Sequence, residues 1–217
     1  MSRAVACAIA AALLVAAVAW AQDDAPIKQK MRFTEDAGRI SVTTTINKLF
    51  DSDAYEALGS GFESTILVRL WVYKKGSSTP IAFQALERRV IYDMWDEVYE
   101  VQLDGPDGRS KHKVKYKAEA LKLLTSIEEV PVVVAGELPY EKHYVLMIVA
   151  ELNPVSEETL AEVRRWLTKG SGGGLDRGGG LFGSVVSVFV NPKIAEADRV
   201  LRLRSQPFYR PTPKAKP

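Results

Sequence analysis

Cysteine and histidine are nearly missing from this 217-residue chain, which holds one cysteine, Cys7, and two histidines, His112 and His143. Cys7 lies toward the front of an N-terminal apolar run rather than after it, so it does not occupy the position of a lipid-modified cysteine. Once that run is removed, the remaining chain has no thiol. Structural disulfides, thiolate zinc sites and a cysteine nucleophile are then excluded from it. A metal site with two histidines would need both, and they fall on separate expected strands. A Ser-His-Asp triad has only these two candidate bases. An excess of one charge is lacking too. With 29 basic and 27 acidic residues, the chain offers no field to steer nucleic acid or to hold an anionic membrane.

No apolar run reaches the ~20 residues of a spanning helix. The longest, Ala4–Val18, follows Arg3, the only charge before Asp23. It has the length of a secretory h-region, and Ala19-Trp20-Ala21 places small residues where a signal peptidase reads them. Residues 1–21 are therefore expected to be a signal peptide. Export to the periplasm or cell envelope of a bacterium follows. Residues 22–38 are polar and read as a flexible N-terminal segment.

What is present is β-rich. Alternation of Ile40, Val42, Thr44 and Ile46 predicts a strand over 39–46. Residues 52–58 predict a short helix, with Ser52 as N-cap and Gly59 as its stop. Residues 63–74 (ESTILVRLWVYK) predict a long strand. Ile66, Val68, Leu70 and Val72 share one face. Leu67, Arg69, Trp71 and Tyr73 share the other, which reads as half-exposed. Further strands are expected over 81–94, 97–103 and 112–117, with Asp104-Gly-Pro-Asp-Gly108 as a turn. Ala120, Leu123, Leu124 and Ile127 predict a helix within 118–129, ended by Pro131, before a short strand over 132–135. A strand over 143–152 reads as buried on both faces. A helix over 157–169 is capped by Ser156. A strand over 182–191, a short helix near 194–198 and an edge-like strand over 199–204 complete the pattern.

Many short strands with two or three helical insertions predict a mainly β fold, an antiparallel β-sandwich, immunoglobulin-like or similar, over 39–209. Residues 210–217 (RPTPKAKP) read as a basic, proline-rich tail with weak membrane contact at most.

Eight of the fifteen glycines fall between Gly170 and Gly183. Gly178 to Gly183 formally matches G-x-G-x-x-G, but a dinucleotide fingerprint follows a strand and opens a helix. Here a helix comes first, and its C-terminal end repels phosphate. Nucleotide binding is not expected, and residues 170–183 read as a surface loop. Leu181-Phe182 beside it is either core strand or docking element.

No catalytic motif or cofactor site emerges. Glu87, Asp93, Asp96 and Glu97 are carboxylates in and after one strand, the raw material of a hydrolytic pair if they converged. Asp51, Asp53, Asp104 and Asp107 fit helix caps and turns better than a calcium loop. Trp71, Tyr73, Tyr92, Trp95 and Tyr99 lie on adjacent expected strands and could line a groove or simply pack.

Residues 40–152 resemble a family of exported bacterial proteins, domain of unknown function 4390. The likeness rests on Tyr55-Glu-Ala-Leu58-Gly59, the strand LVRLWVYKK, the segment ERRVIYDMWDEVYEV and the helix EALKLL; the segment 153–191 departs from it. The resemblance implies an envelope protein without assigned activity that accompanies membrane signalling systems.

These readings point to a non-enzymatic interaction or accessory domain with an envelope or membrane protein partner. The candidate contacts are Trp71, Tyr73, Tyr92, Trp95, Leu181, Phe182, Phe208 and Tyr209. The alternative is a periplasmic small-molecule or glycan binder using the strand aromatics. N-terminal sequencing of the protein exported from a bacterial host should begin at Gln22; a retained Met1 would reject cleavage.

Overall fold

The computed structural model describes residues 25–154 and 197–212. The expected signal peptide, the expected helix over 157–169, the glycine stretch, Leu181, Phe182, the expected strand over 182–191 and residues 213–217 lie outside them. The elements are β1 (Ile27–Gln29), β2 (Arg32–Asp36), β3 (Arg39–Thr45), α1 (Ser52–Ala57), β4 (Ser64–Lys74), β5 (Pro80–Asp93), β6 (Val98–Gly105), β7 (Gly108–Val114), α2 (Lys117–Thr125), β8 (Ser126–Val134), β9 (Lys142–Pro154), β10 (Ala197–Ser205) and β11 (Phe208–Arg210).

The fold is mainly β. Among the described residues, β1-β10-β9-β4-β5-β6-β7 form the large sheet, with β11 joining β9, and β2-β3-β8 form the small one. Every pair is antiparallel except β1 with β10. Eight strands against three is a more unequal division than the four-plus-three of an immunoglobulin constant domain.

Strand alternation places the core. Ile66, Val68 and Leu70 of β4 are buried with Leu146, Ile148 and Ala150 of β9, and Ile40, Val42 and Val132 of the small sheet close over them. The other face of β4 is also buried, contrary to the half-exposed reading. Leu67, Trp71 and Ala85 form a second apolar cluster. Within that face the Arg69 guanidinium donates to Glu151 Oε1 at 2.7 Å, with both side chains at 1% exposure or less. Burial pushes the Glu151 carboxyl up, against the pull of Arg69 and Arg202, and pushes Arg69 down. Leu67 pairs with Glu151 and Arg69 with Val149, so the ion pair is a diagonal contact across two neighbouring strands.

Several boundaries differ from the sequence reading. The segment 22–38 is not flexible throughout, because Ile27–Gln29 and Arg32–Asp36 are strands. Ala37 (φ +47°) and Gly38 (φ +74°) make the two-residue turn joining β2 to β3, both central residues left-handed as a type I′ turn requires. Asp51, not Ser52, caps α1 by accepting from the Ala54 amide. Helix α2 stops at Thr125, and Ser126–Val134 is a strand instead of the last helical turn. Ile127 is buried as its periodicity implied, but through pairing with Thr44 of β3. Pro131 sits inside β8, which lies at the edge of the small sheet, where a missing N–H is tolerated.

Arg88 of β5 explains the abrupt stop. Its Nη1 donates to the Leu123 and Leu124 carbonyls at 2.9 and 2.7 Å. These are helix C-terminal oxygens without intrahelical partners, and a cation suits that end of the dipole. Burial pushes the Arg88 guanidinium down to about 10, so it remains charged at neutral pH.

At the C-terminal side, β10 runs over Ala197–Ser205 between β1 and β9 and is not an edge; the short helix expected near 194–198 gives way to strand at residue 197. Arg210, read as the start of a solvated tail, is a buried residue of β11 that pairs with Glu35 and stacks on Tyr140.

Arg69→Met alone should cost about 3–5 kcal/mol in urea unfolding, because it strands a buried carboxylate. The double variant Arg69→Met/Glu151→Leu should recover most of that loss.

Candidate functional site

Asp93-Met-Trp-Asp-Glu97 closes the hairpin between β5 and β6, and its conformation is dictated locally. Asp93 Oδ1 accepts from the Trp95 amide at 2.8 Å and from the Asp96 amide at 3.2 Å. Those two amides, Asp96 foremost, hold the Asp93 carboxyl below the usual carboxylate range. Glu97 adopts φ +53°, the left-handed residue that turns the chain back. Beneath the turn, the cross-strand pair Tyr92 and Tyr99 has ring centroids 4.7 Å apart.

This turn faces two apolar side chains to solvent. Trp95 is 95% exposed and Met94 65%. The loop between α1 and β4 comes beside them: a Cβ at Gly61 would stand 3.3 Å from Met94 Cε, and the next residue, Phe62, is 79% exposed. Gly61 has φ +82°, so its conformation also favours glycine. Met94 and Trp95 thus form an apolar knob, with exposed Phe62 following the Gly61 that abuts Met94, and with Glu63, Asp93, Asp96 and Glu97 next to them in sequence.

The other sequence candidates do not join it. Trp71 is buried against Phe83, 5.5 Å between centroids, and Tyr73 packs beside that cluster. Tyr92 is half-buried and points to the opposite face of the sheet from Trp71. Phe208 is half-buried, stacked on Phe33 at 4.1 Å. Tyr209 is partly exposed, donates its hydroxyl to Glu141 and rests on His143. The strand aromatics therefore line no common groove. Leu181 and Phe182 lie outside the described residues.

The candidate carboxylates also separate. Glu87 is buried six residues before Asp93, about 20 Å along an extended strand, beyond the spacing of a glycosidase pair. Glu87 lies instead opposite Asp104, with Arg89 at 3.5 Å from the former and 3.9 Å from the latter. His112 contacts Ser110 at 3.1 Å on β7, while His143 is on β9. Among the described residues no three His, Cys, Asp or Glu side chains are grouped to hold a metal ion. No helix among them is long and apolar enough to cross a membrane.

Sequence reasoning found Trp95 but missed Met94 and Phe62. The available signal was an apolar pair inside a turn flanked by carboxylates, where polar residues are the norm.

Comparison with known proteins returned no match: no family model, no curated protein and no solved structure matches the chain.

Glu97→Gly should raise stability by about 1 kcal/mol in thermal unfolding, since it removes the Cβ cost of a left-handed residue. Trp95→Ala should leave the unfolding midpoint unchanged, marking a side chain kept for something other than folding.

Proposed function

We propose that the protein is a non-enzymatic, exported partner-binding domain of the bacterial envelope, and that the Met94–Trp95 knob, together with Phe62, is its docking element. The observation that carries this reading is Trp95, almost wholly exposed on a turn ordered by Asp93. Tryptophan in such a position costs solvation and recovers it only when a partner covers it, and tryptophan is enriched among residues that dominate binding energy. The surrounding carboxylates oppose an anionic bilayer and favour a protein pocket with an apolar floor and a basic rim. The resemblance of residues 40–152 to domain of unknown function 4390 points toward the same class. A glycan or small-molecule site built from the strand aromatics has less support, because those aromatics lie on opposite faces of the sheet.

The test is photo-crosslinking in the envelope from position 63, an exposed site beside Phe62 that leaves Trp95 in place, with the same crosslinker carried into Trp95→Ala and into the charge reversal Asp96→Lys/Glu97→Lys. One discrete partner, weakened at least tenfold by both variants, is the expected outcome. Crosslinks that are diffuse, or indifferent to the charge reversal, would overturn the reading.

A further inference from the structure

Residues 109–113 read Arg-Ser-Lys-His-Lys, and β7 turns that alternation into two different faces. Arg109, Lys111 and Lys113 point to one side of the sheet, Ser110, His112 and Val114 to the other. Among the described residues β7 is the last strand of the large sheet, and every residue from Gly108 to Lys113 is exposed. An edge strand presents alternate backbone N–H and C=O groups with no ladder partner.

The two faces differ in what they border. The Ser110/His112 side opens onto a cleft of about 610 Å³ between β5–β7, α2 and β8. Its apolar wall is Leu103, Val114, Leu123 and Val130, each only half-buried. That volume lies in the range that holds ligand groups. On the other side Arg109 pairs with Asp104 and Lys113 with Glu100, while Lys111 between them makes no ion pair among the described residues.

We infer that the β7 edge accepts an extended segment of a partner protein as an added strand, in which acidic and apolar residues alternate. The period of two does the selecting. When the backbone pairs with β7, one set of side chains falls over Lys111 and its neighbours and the other enters the cleft. Charge decides among occupants. A second copy of β7 would set basic side chains against basic ones, which opposes pairing. A strand carrying carboxylates on that face meets complementary charge, and its apolar residues cover the four half-buried aliphatics. This site does not use Trp95, although Lys113 lies within electrostatic reach of Asp93 and Asp96; unchanged peptide binding by Trp95→Ala keeps its outcome distinct from the docking reading.

The test uses the purified protein with three fluorescent heptapeptides: Glu-Val-Glu-Leu-Glu-Val-Glu, a scramble of the same composition without alternation, and the alternating peptide with Lys for Glu. The alternating acidic peptide should bind at least tenfold tighter than the others. Amide exchange should slow at alternate residues of Gly108–Val114. Lys111→Glu should reverse the preference toward the lysine peptide, and Lys111→Gln should only weaken binding of the acidic one. No binding, equal binding of the scramble, or binding without protection along β7 would each overturn the inference; equal binding of the scramble would show a cleft that takes apolar groups without a strand.

Discussion

The buried Arg69–Glu151 pair is the constraint on which the rest of the large sheet depends. Strand β4 is covered on both faces, so apolar content alone does not say which face belongs inside. Arg69 does. A slip of one residue would move it to the face of Leu146, Ile148 and Ala150, which offers no carboxylate there, and would take it away from Glu151. The pair therefore ties the register of β4 to that of β9. Because β5 pairs with β4 in unbroken register over nine positions, from Ser64 with Val90 to Val72 with Ala82, the same choice sets β5, then β6, then the turn that carries Trp95.

Other buried polar groups act between layers in the same way. Arg88 reaches from the sheet to the end of α2, giving the helix both its stop and its attachment. Arg210 joins the last strand to Glu35 of the small sheet and to the Leu138 carbonyl. Gln206 exchanges hydrogen bonds with both backbone groups of Met31. Each contact spans far-separated chain segments, and each satisfies a backbone group that burial would otherwise leave unpaired.

The near-zero charge balance conceals a local separation. Carboxylates gather around the apolar knob, while β7 carries a basic comb beside an aliphatic cleft. Net charge reports on solubility and long-range steering; these two surfaces act at contact range, where the sign of a few side chains selects what is attracted. The proposed docking knob and the proposed strand-accepting edge thus belong to one hairpin series and discriminate by opposite charge.

Runs rich in β-branched, aromatic and other apolar residues sufficed for the long strands β4, β5 and β9, because such runs are a property of neighbouring residues. The turn at Pro106-Asp107 was likewise legible, since proline and Gly108 impose local dihedrals. The helical periodicity of Ala120, Leu123 and Leu124 was read correctly, but its extension to Ile127 was not. A helix face and a β-branched strand place Ile127 inside equally well, and only pairing with β3 separates the two. Strands β1 and β2 escaped notice because they are short and polar; β1 also depends on a partner far along the chain, β10, while β2 pairs with β3 across a two-residue turn. The aromatic candidates scattered for a related reason: alternation sends Trp71 and Tyr92 to opposite faces, and only the assembled sheet gives those faces different neighbours. What the sequence determined by itself was the mainly β fold and the absence of any cysteine after Cys7. Which charges are buried, which aromatic stands in solvent and where a strand edge meets a cleft were decided by tertiary structure, because each depends on contacts between residues tens of positions apart.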